Sequence, residues 1–178
     1  MTSAIQDKEL EILKAETAAA ATIARLQSES FDKAWSEEDV RALLAGPGAL
    51  GLIASFGDTP FGYVIARSTG EEAELLSIGV SYAARRAGVG LALLRHLQTT
   101  LRELGTTKLF LEVDSTNRAA VELYSREDFR KIGTRKLYYK TANGKRNDAL
   151  VLRKVIRLPV DDTDATQANY DGVARHGI

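Results

Sequence analysis

The sequence predicts a mixed α/β domain built round one β-α-β unit. Three observations carry this. Leu75 to Val80 is a short, bounded apolar run, as a buried strand is. After a turn, Val89, Leu93, Leu97, Leu101 and Leu104 recur at helical spacing and make one apolar face. Leu109 to Val113 is a second short apolar run. Two strands joined through a helix lie parallel with a right-handed crossover. Ligands bind beyond the carboxyl ends of such strands. The turn Arg85-Arg86-Ala87-Gly88-Val89-Gly90 falls at that end of the first strand, and Glu112 at that end of the second.

The other elements follow in order. Residues 9–15 alternate well enough for a first strand, and Thr17 is placed to cap an alanine-rich helix running to Ser28. Ser36, with Asp39 three residues on and acidic side chains between, marks a second helix start; Gly46-Pro47-Gly48 ends it. Leu50–Ser55 and Phe61–Arg67 read as a hairpin turning at Gly57-Asp58. Residues 68–71 form the next turn, ahead of the central strand. Gly105 stops the central helix. A further helix is expected over about 116–126. Strands are expected at 129–136 and 149–156, joined through Asn143-Gly144.

Composition excludes several kinds of chemistry. The 178 residues include no cysteine, which rules out disulfides, thiolate metal clusters and a cysteine nucleophile. Of the two histidines, His176 lies in a polar stretch and His96 falls off the apolar stripe, so neither a histidine metal site nor a Ser-His-Asp triad is expected. No metal is expected. No apolar run approaches membrane-spanning length, and the N-terminus lacks a basic-then-apolar leader pattern. The expectation is one domain over 1–157, a polar, disordered tail over 158–178, a cytoplasmic location and no membrane partner.

Charge is balanced in total but not in distribution. Residues 1–80 carry six Lys/Arg against 13 Asp/Glu, and residues 126–157 carry 11 against three. The basic segment lacks clustered stacking aromatics beyond Tyr138 and Tyr139, so nucleic-acid binding is not expected. The acidic half would suit a basic peptide partner.

The start of the central helix has its own chemistry. A first helical turn leaves backbone N–H groups unpaired at the positive end of the helix dipole, which suits an anion. Gly88 and Gly90 let a phosphate approach the backbone, and Arg85 and Arg86 add charge. The pattern is neither a P-loop nor the dinucleotide fingerprint. Taken alone, it reads equally well as an ordinary strand-to-helix turn.

With these residues in place, the chain resembles the GCN-five-related N-acetyltransferase superfamily. The signature of that superfamily, [Gln/Arg]-x-x-Gly-x-[Gly/Ala], opens the helix that binds acetyl-CoA; here it is Arg85 to Gly90. More narrowly, residues 31–156 resemble the RimI-type N-alpha-acetyltransferases, which act on the N-terminal alanine of a small-subunit ribosomal protein. Phe31-Asp32-Lys33-Ala34-Trp35-Ser36, Ser77-Ile78-Gly79-Val80, Leu111-Glu112-Val113, Asn117-Arg118-Ala119-Ala120, Leu123-Tyr124 and Tyr138-Tyr139 carry that likeness.

The resemblance implies a mostly antiparallel sheet with a central parallel β-α-β unit and flanking helices. It also implies roles. Ile78, Gly79 and Val80 would bind the pantetheine arm and thioester through their backbone. Arg85, Arg86, Ala87, Gly88, Val89, Gly90 and Leu91 would cradle the pyrophosphate. Asn117 would bind near the reactive end of the cofactor. Glu112 would be the general base, Tyr124 the general acid, and Tyr138 and Tyr139 would border the acceptor.

The chemistry agrees with those roles. An α-amine of pKa ~7.7–8.0 is mostly protonated at neutral pH and attacks a thioester only when neutral, so a base helps. A phenol of pKa ~10 protonating a thiolate of pKa ~8.5 is uphill by about 2 kcal/mol, so Tyr124 can act by hydrogen bonding as well as by proton transfer. Without cysteine, direct transfer in a ternary complex is expected. Outside the family context, Glu112 also reads as an exposed strand-end carboxylate, Tyr124 as a core aromatic and Asn117 as a helix cap. The alternative acceptors are a small amine or a lysine side chain, and the alternative class is a non-catalytic acyl-CoA-binding module.

Three positions depart from the family pattern. Asp128 replaces a usual glycine, and Ala34 and Lys140 stand where proline is common. A left-handed Asp128 would cost ~1 kcal/mol. Lys140 adjoins the acceptor loop and bears on acceptor identity.

Overall fold

The computed structural model describes residues 9–31, 33–140 and 146–158. The elements are β1 Leu10–Lys14, α1 Ala20–Ser28, α2 Glu37–Ala45, β2 Ala49–Phe56, β3 Thr59–Ser68, β4 Glu72–Val80, α3 Val89–Glu103, β5 Lys108–Asp114, α4 Arg118–Arg126, β6 Arg130–Lys140 and β7 Arg146–Val155. They come in the predicted order. The seven strands form one sheet, β1-β2-β3-β4-β5-β7-β6, in which only β4 and β5 run parallel. Asn143-Gly144 and the tail from Pro159 lie outside the described residues.

Two helix starts contrast. At α2, Ser36 accepts a hydrogen bond from the Asp39 amide at 3.1 Å and Asp39 accepts from the Ser36 amide at 2.9 Å, the reciprocal capping box the sequence predicts. Thr17 caps nothing. A 3-10 turn over Thr17–Ala19 leads into α1 instead, and its backbone hydrogen bond from Ala19 to Glu16 already bends the chain.

The sheet has two cores. On one face Val89, Leu93, Leu94, Leu97 and Leu101 of α3 and Tyr124 of α4 pack on Val64, Leu75, Leu109, Leu111 and Leu152. On the other, Ile23 and Leu26 of α1 and Val40 of α2 pack on Tyr63 and Ile65. Leu104 is a correction to the predicted stripe. It is 56% exposed because α3 closes at Glu103 and Gly105, at φ 77°, turns the chain away. Leu94 is fully buried in the core instead.

α4 ends in a Schellman motif. The Phe129 amide donates to the Tyr124 carbonyl at 3.0 Å and the Asp128 amide to the Ser125 carbonyl at 3.2 Å. The Tyr124 and Phe129 rings meet edge-on at 5.4 Å, the apolar contact that accompanies this motif. Asp128 holds the left-handed position at φ 61°, where glycine is usual. Its ion pair with Arg130, at 3.7 Å between two exposed side chains, returns little. Asp128→Gly is therefore expected to stabilise the domain by about 1 kcal/mol, raising the thermal midpoint by roughly 2–4 °C. Calorimetry of the two proteins checks this, and an unchanged or lower midpoint would refute the strain.

Candidate active site

The site begins where a ladder stops. β4 and β5 pair from Glu72↔Lys108 to Leu75↔Leu111 and no further, although β4 continues to Val80 and β5 to Asp114. The cause lies on the other edge of β4. Against β3, Ala66 pairs with Leu75 but Ile65 with Ser77, so Leu76 is an extra residue. Such a bulge bends its strand and ends regular pairing. It also turns two successive side chains to one face. Leu76 packs in the α1/α2 core and Ser77 meets the Tyr63 hydroxyl there at 2.7 Å, whereas Leu75 and Ile78 belong to the α3/α4 core. A wedge-shaped gap opens between Leu76–Val80 and Glu112–Asp114. Of the predicted strand-end residues, Ile78 and Val80 point to the α3/α4 side of that gap and Gly79 lies against the Tyr63 ring.

Beyond Val80 the chain turns into α3. Arg86 (φ 67°) and Gly88 (φ 82°) both adopt left-handed backbone, an alternation that turns amide groups toward one concavity. No side chain caps α3, and no acidic residue occupies its first turn. Among the described residues the amides of Gly88, Val89, Gly90 and Leu91 donate to no protein atom. Gly88 is required by its backbone angle. Gly90 keeps space open: a Cβ there would sit 3.6 Å from Val80 and 3.7 Å from Leu123, filling the groove between strand end and α4. Arg86 and Ala87 are exposed on the rim. Arg85 reaches back, its guanidinium 4.5 Å from the Tyr82 ring and its Nε 3.4 Å from the Val80 carbonyl. At the root of the loop, Ser81 Oγ is buried without a partner among the described residues. Unspent amides at a dipole's positive end, next to an orphaned hydroxyl, fit a diphosphate ligand.

Glu112 and Tyr124 approach the gap from opposite faces. Leu109, Leu111 and Val113 join the α3/α4 core, so alternation puts Glu112 on the other side of the sheet. Tyr124 comes from α4 and is 4% exposed. Among the described residues its hydroxyl has no hydrogen-bond partner. Among the described residues only Ser81 Oγ is both sealed from solvent and unpartnered, so the Tyr124 hydroxyl keeps some access to solvent. Burial pushes the Tyr124 phenol far above the usual range, and the nearby Tyr139 and Tyr63 hydroxyls add to this. Asn117 caps α4, its Oδ1 accepting from the Ala120 amide at 3.2 Å. That leaves its side-chain NH2 to donate elsewhere.

Around Glu112 the β6–β7 pair is irregular. Arg135 pairs with Ala149 and Tyr139 with Asn147, so three β6 residues, Lys136–Tyr138, stand opposite Asp148 alone. Leu137 at φ 54° takes up the excess, held by Asp148, which accepts from its amide at 2.9 Å. Tyr138 is half exposed. Tyr139 is half buried, and its hydroxyl donates to the Glu112 backbone carbonyl at 3.4 Å. Burial first, then the charges of Glu112, Tyr138 and Asp114, push the Tyr139 phenol up to about 12. Asp114 goes the other way. Burial alone would raise it, but hydrogen bonds from Asn147 and Thr116 outweigh this and lower it.

Sequence reasoning missed two residues here. Arg135 forms an ion pair with Glu112 at 3.0 Å, and Ser81 faces the loop root. Nothing short of the register across the bulge marks Arg135. The position of Ser81, directly after Ile78-Gly79-Val80, was a signal. A shallow groove lined by Arg67, Thr69, Glu72, Glu74 and Phe110 lies at the opposite end of β4 and β5, away from these groups.

Comparison with known proteins agrees with this geometry. A 90-residue segment is 38% identical to the [ribosomal protein bS18]-alanine N-acetyltransferase of Escherichia coli K12, covering 51% of this chain and 60% of that protein. The crystal structure of the ribosomal-protein-S18-alanine N-acetyltransferase from Escherichia coli superposes with a TM-score of 0.80 at 28% identity, over 86% of this chain and 98% of that one. Arabidopsis thaliana NAA60 in complex with acetyl-CoA shares the fold, with a TM-score of 0.73 at 18% identity over 83% and 99% of the two chains. The acetyltransferase (GNAT) family model matches residues 20–129. With the split parallel strands, the uncapped helix and this match in hand, the chain belongs to the acetyltransferase (GNAT) family.

Proposed function

We propose that the chain transfers an acetyl group from acetyl-CoA to the N-terminal amine of a protein, with the alanine of a small-subunit ribosomal protein as the acceptor. The observation that carries this is the approach of Glu112 and Tyr124 to one gap from opposite faces of the sheet. An acceptor entering on the Glu112 side would meet the base there, and a leaving group departing on the Tyr124 side would meet a hydrogen-bond donor.

Acetyl-CoA, when bound, supplies an acetyl group activated as a thioester. The amides from Gly88 to Leu91 would hold its pyrophosphate, with Arg86 on the rim and Arg85 steadying the Val80 carbonyl. Ile78, Gly79 and Val80 would hold the pantetheine arm along the unpaired edge of β4. Asn117 would donate its side-chain NH2 near the thioester. An acceptor arriving as the ammonium would give one proton to Glu112, directly or through water; the neutral amine would then attack the carbonyl carbon, the C–S bond would break, and the nitrogen would release its second proton to solvent. Tyr124 keeps its proton at neutral pH because burial makes its phenolate costly. It therefore serves as a hydrogen-bond donor to the departing sulfur, and the thiolate takes its proton from solvent.

A peptide suits the Glu112 side. On this face α1 and α2 cover the β2–β4 part of the sheet, and no described helix lies over β5, β7 and β6. Ser30, at the end of α1, bounds the trough at Val80, and the bulged β6 bounds it with Tyr138 and Tyr139. No helix among the described residues is long and apolar enough to cross a membrane, and a cytoplasmic location fits a ribosomal acceptor. The transferase unit is taken to be residues 1–157.

The test is acetylation of a peptide library with acetyl-CoA, read by mass. N-terminal acetyl-alanine is the expected product, and acetylation confined to lysine or to small amines would overturn the acceptor assignment. Glu112→Gln is expected to lower kcat/KM about 100-fold. Tyr124→Phe is expected to lower kcat about tenfold or more with little effect on KM. Wild-type rates in either variant would remove that residue from the mechanism. Gly88→Val, which forces a branched side chain into left-handed backbone, is expected to raise the KM for acetyl-CoA about tenfold and leave that for the peptide unchanged. Steady-state kinetics with each substrate varied separates the two.

A further inference from the structure

Three side chains link the carboxylate of Glu112 back to its own backbone carbonyl. Its Oε1 lies 3.0 Å from Arg135 Nη1, an ion pair. The Arg135 guanidinium lies 5.2 Å from the Tyr138 ring centre. Tyr138 meets Tyr139 edge-on, with centroids 5.2 Å apart and planes at 86°. The Tyr139 hydroxyl returns to the Glu112 backbone carbonyl at 3.4 Å.

This loop of contacts exists because of the β6 bulge. In a regular strand Arg135 and Tyr139 would be four residues apart. With two residues looped out they pair to Ala149 and Asn147, two apart on β7, and Tyr138 folds back against the guanidinium. Among the described residues, the titratable and charged groups on the Glu112 side are Arg135, Tyr138 and Tyr139 from β6 and Asp114 from β5. Val151, opposite Glu112 on β7, carries none.

We propose that Arg135 is a positioning residue that latches Glu112, so that the base is released to an acceptor carrying a peptide carbonyl in preference to a simple amine. This rests on the transferase reading above. The guanidinium occupies the carboxylate oxygen to which the amine must deliver its proton. Arg135 has donors only and leaves that oxygen most readily for another one. An N-terminal residue offers its own carbonyl oxygen three bonds from the amine nitrogen; an alkylamine offers none. Charge acts in the same direction. An alkylamine of pKa ~10.4 arrives almost wholly as a cation and is repelled by Arg135, whereas an α-amine of pKa ~7.7–8.0 arrives partly neutral. The Arg135 side chain is 57% exposed and that of Glu112 22%. Pairs this exposed are weak, so the latch opens easily and discriminates by about two- to fivefold.

The experiment compares kcat/KM for a peptide beginning with alanine and for n-butylamine, using the full chain and acetyl-CoA. Arg135→Gln is expected to lower the peptide-to-amine ratio by about two- to fivefold, and Arg135→Lys to recover part of it. If the ratio is unchanged, or both rates fall in parallel as a purely structural role would give, the latch is refuted. Should Arg135→Gln not fold, Tyr138→Leu removes the plate under the guanidinium and is expected to move the ratio the same way; an unchanged ratio again refutes it. If the wild-type chain acetylates neither acceptor, the transferase reading fails by itself. The latch is then read from the Arg135 Nε–H signal by NMR with CoA present. A shift on adding peptide but not butylamine supports it, and identical responses overturn it.

Discussion

One inserted residue sets the architecture of the site. Leu76 has no partner on β3, and beyond it β4 no longer tracks β5. A parallel ladder that ran on to Val80 and Asp114 would satisfy the edge amides of β4 and seal the sheet, leaving no place for a ligand between the strands. The bulge gives up a few ladder hydrogen bonds. In exchange, backbone donors and acceptors of Ile78–Val80 face a gap that both sides of the sheet can reach. The loss is held in check because α3 packs its full apolar stripe across β2, β3 and β4 and keeps the split strand in place.

The same bulge explains why the candidate phosphate cradle stands where it does. The end of β4 leads through Ser81 and a 3-10 turn into two left-handed residues and an uncapped α3. A protein seldom leaves a helix start without a cap, since the first-turn amides then have only water. Here the deficit is concentrated on one concavity, with no carboxylate in the first turn to compete for it. At the C-terminal end of α4, the buried Glu127 carboxylate is held by Arg95 at 2.8 Å and by Lys154 at 3.9 Å. That network ties α3 and β7 to the end of α4, the helix that carries Tyr124.

The sequence made the order of elements legible because each helix and strand has its own periodicity and its own stops. Ser36 with Asp39, Gly105, and the apolar run at Leu109 act within a few residues. So does the signature from Arg85 to Gly90, where the chemistry depends on backbone amides of consecutive residues. Extrapolation failed where a local stop overrode a period. Leu104 fits the spacing, yet Gly105 removes it from the core. Thr17 has the chemistry of a cap, yet a preceding turn makes a cap unnecessary. The two bulges were illegible for a different reason. Leu75-Leu76 is an unbroken apolar pair, so no alternation shows the insertion, and Leu137 sits in left-handed backbone without being glycine. The Arg135–Glu112 pair reaches across β7 and joins residues 23 apart in sequence, which only the β5-β7-β6 order brings together.

This difference divides the site along the chain. The donor half, from Ile78 through the α3 start to Tyr124, is nearly contiguous: strand, loop, helix, strand and helix follow one another, and local rules fix them. The acceptor half is assembled from the end of α1, from β5 and from a β6–β7 pair with irregular register. Substitutions in the donor half meet backbone amides, left-handed angles and a helix dipole, so few are tolerated. Those in the acceptor half meet side-chain contacts on an open sheet face, such as Arg135 on Tyr138, that can be remade one at a time. On the proposed reading, reaction type is carried by the part of the chain that can be read in order, and choice of acceptor by the part that only folding brings together.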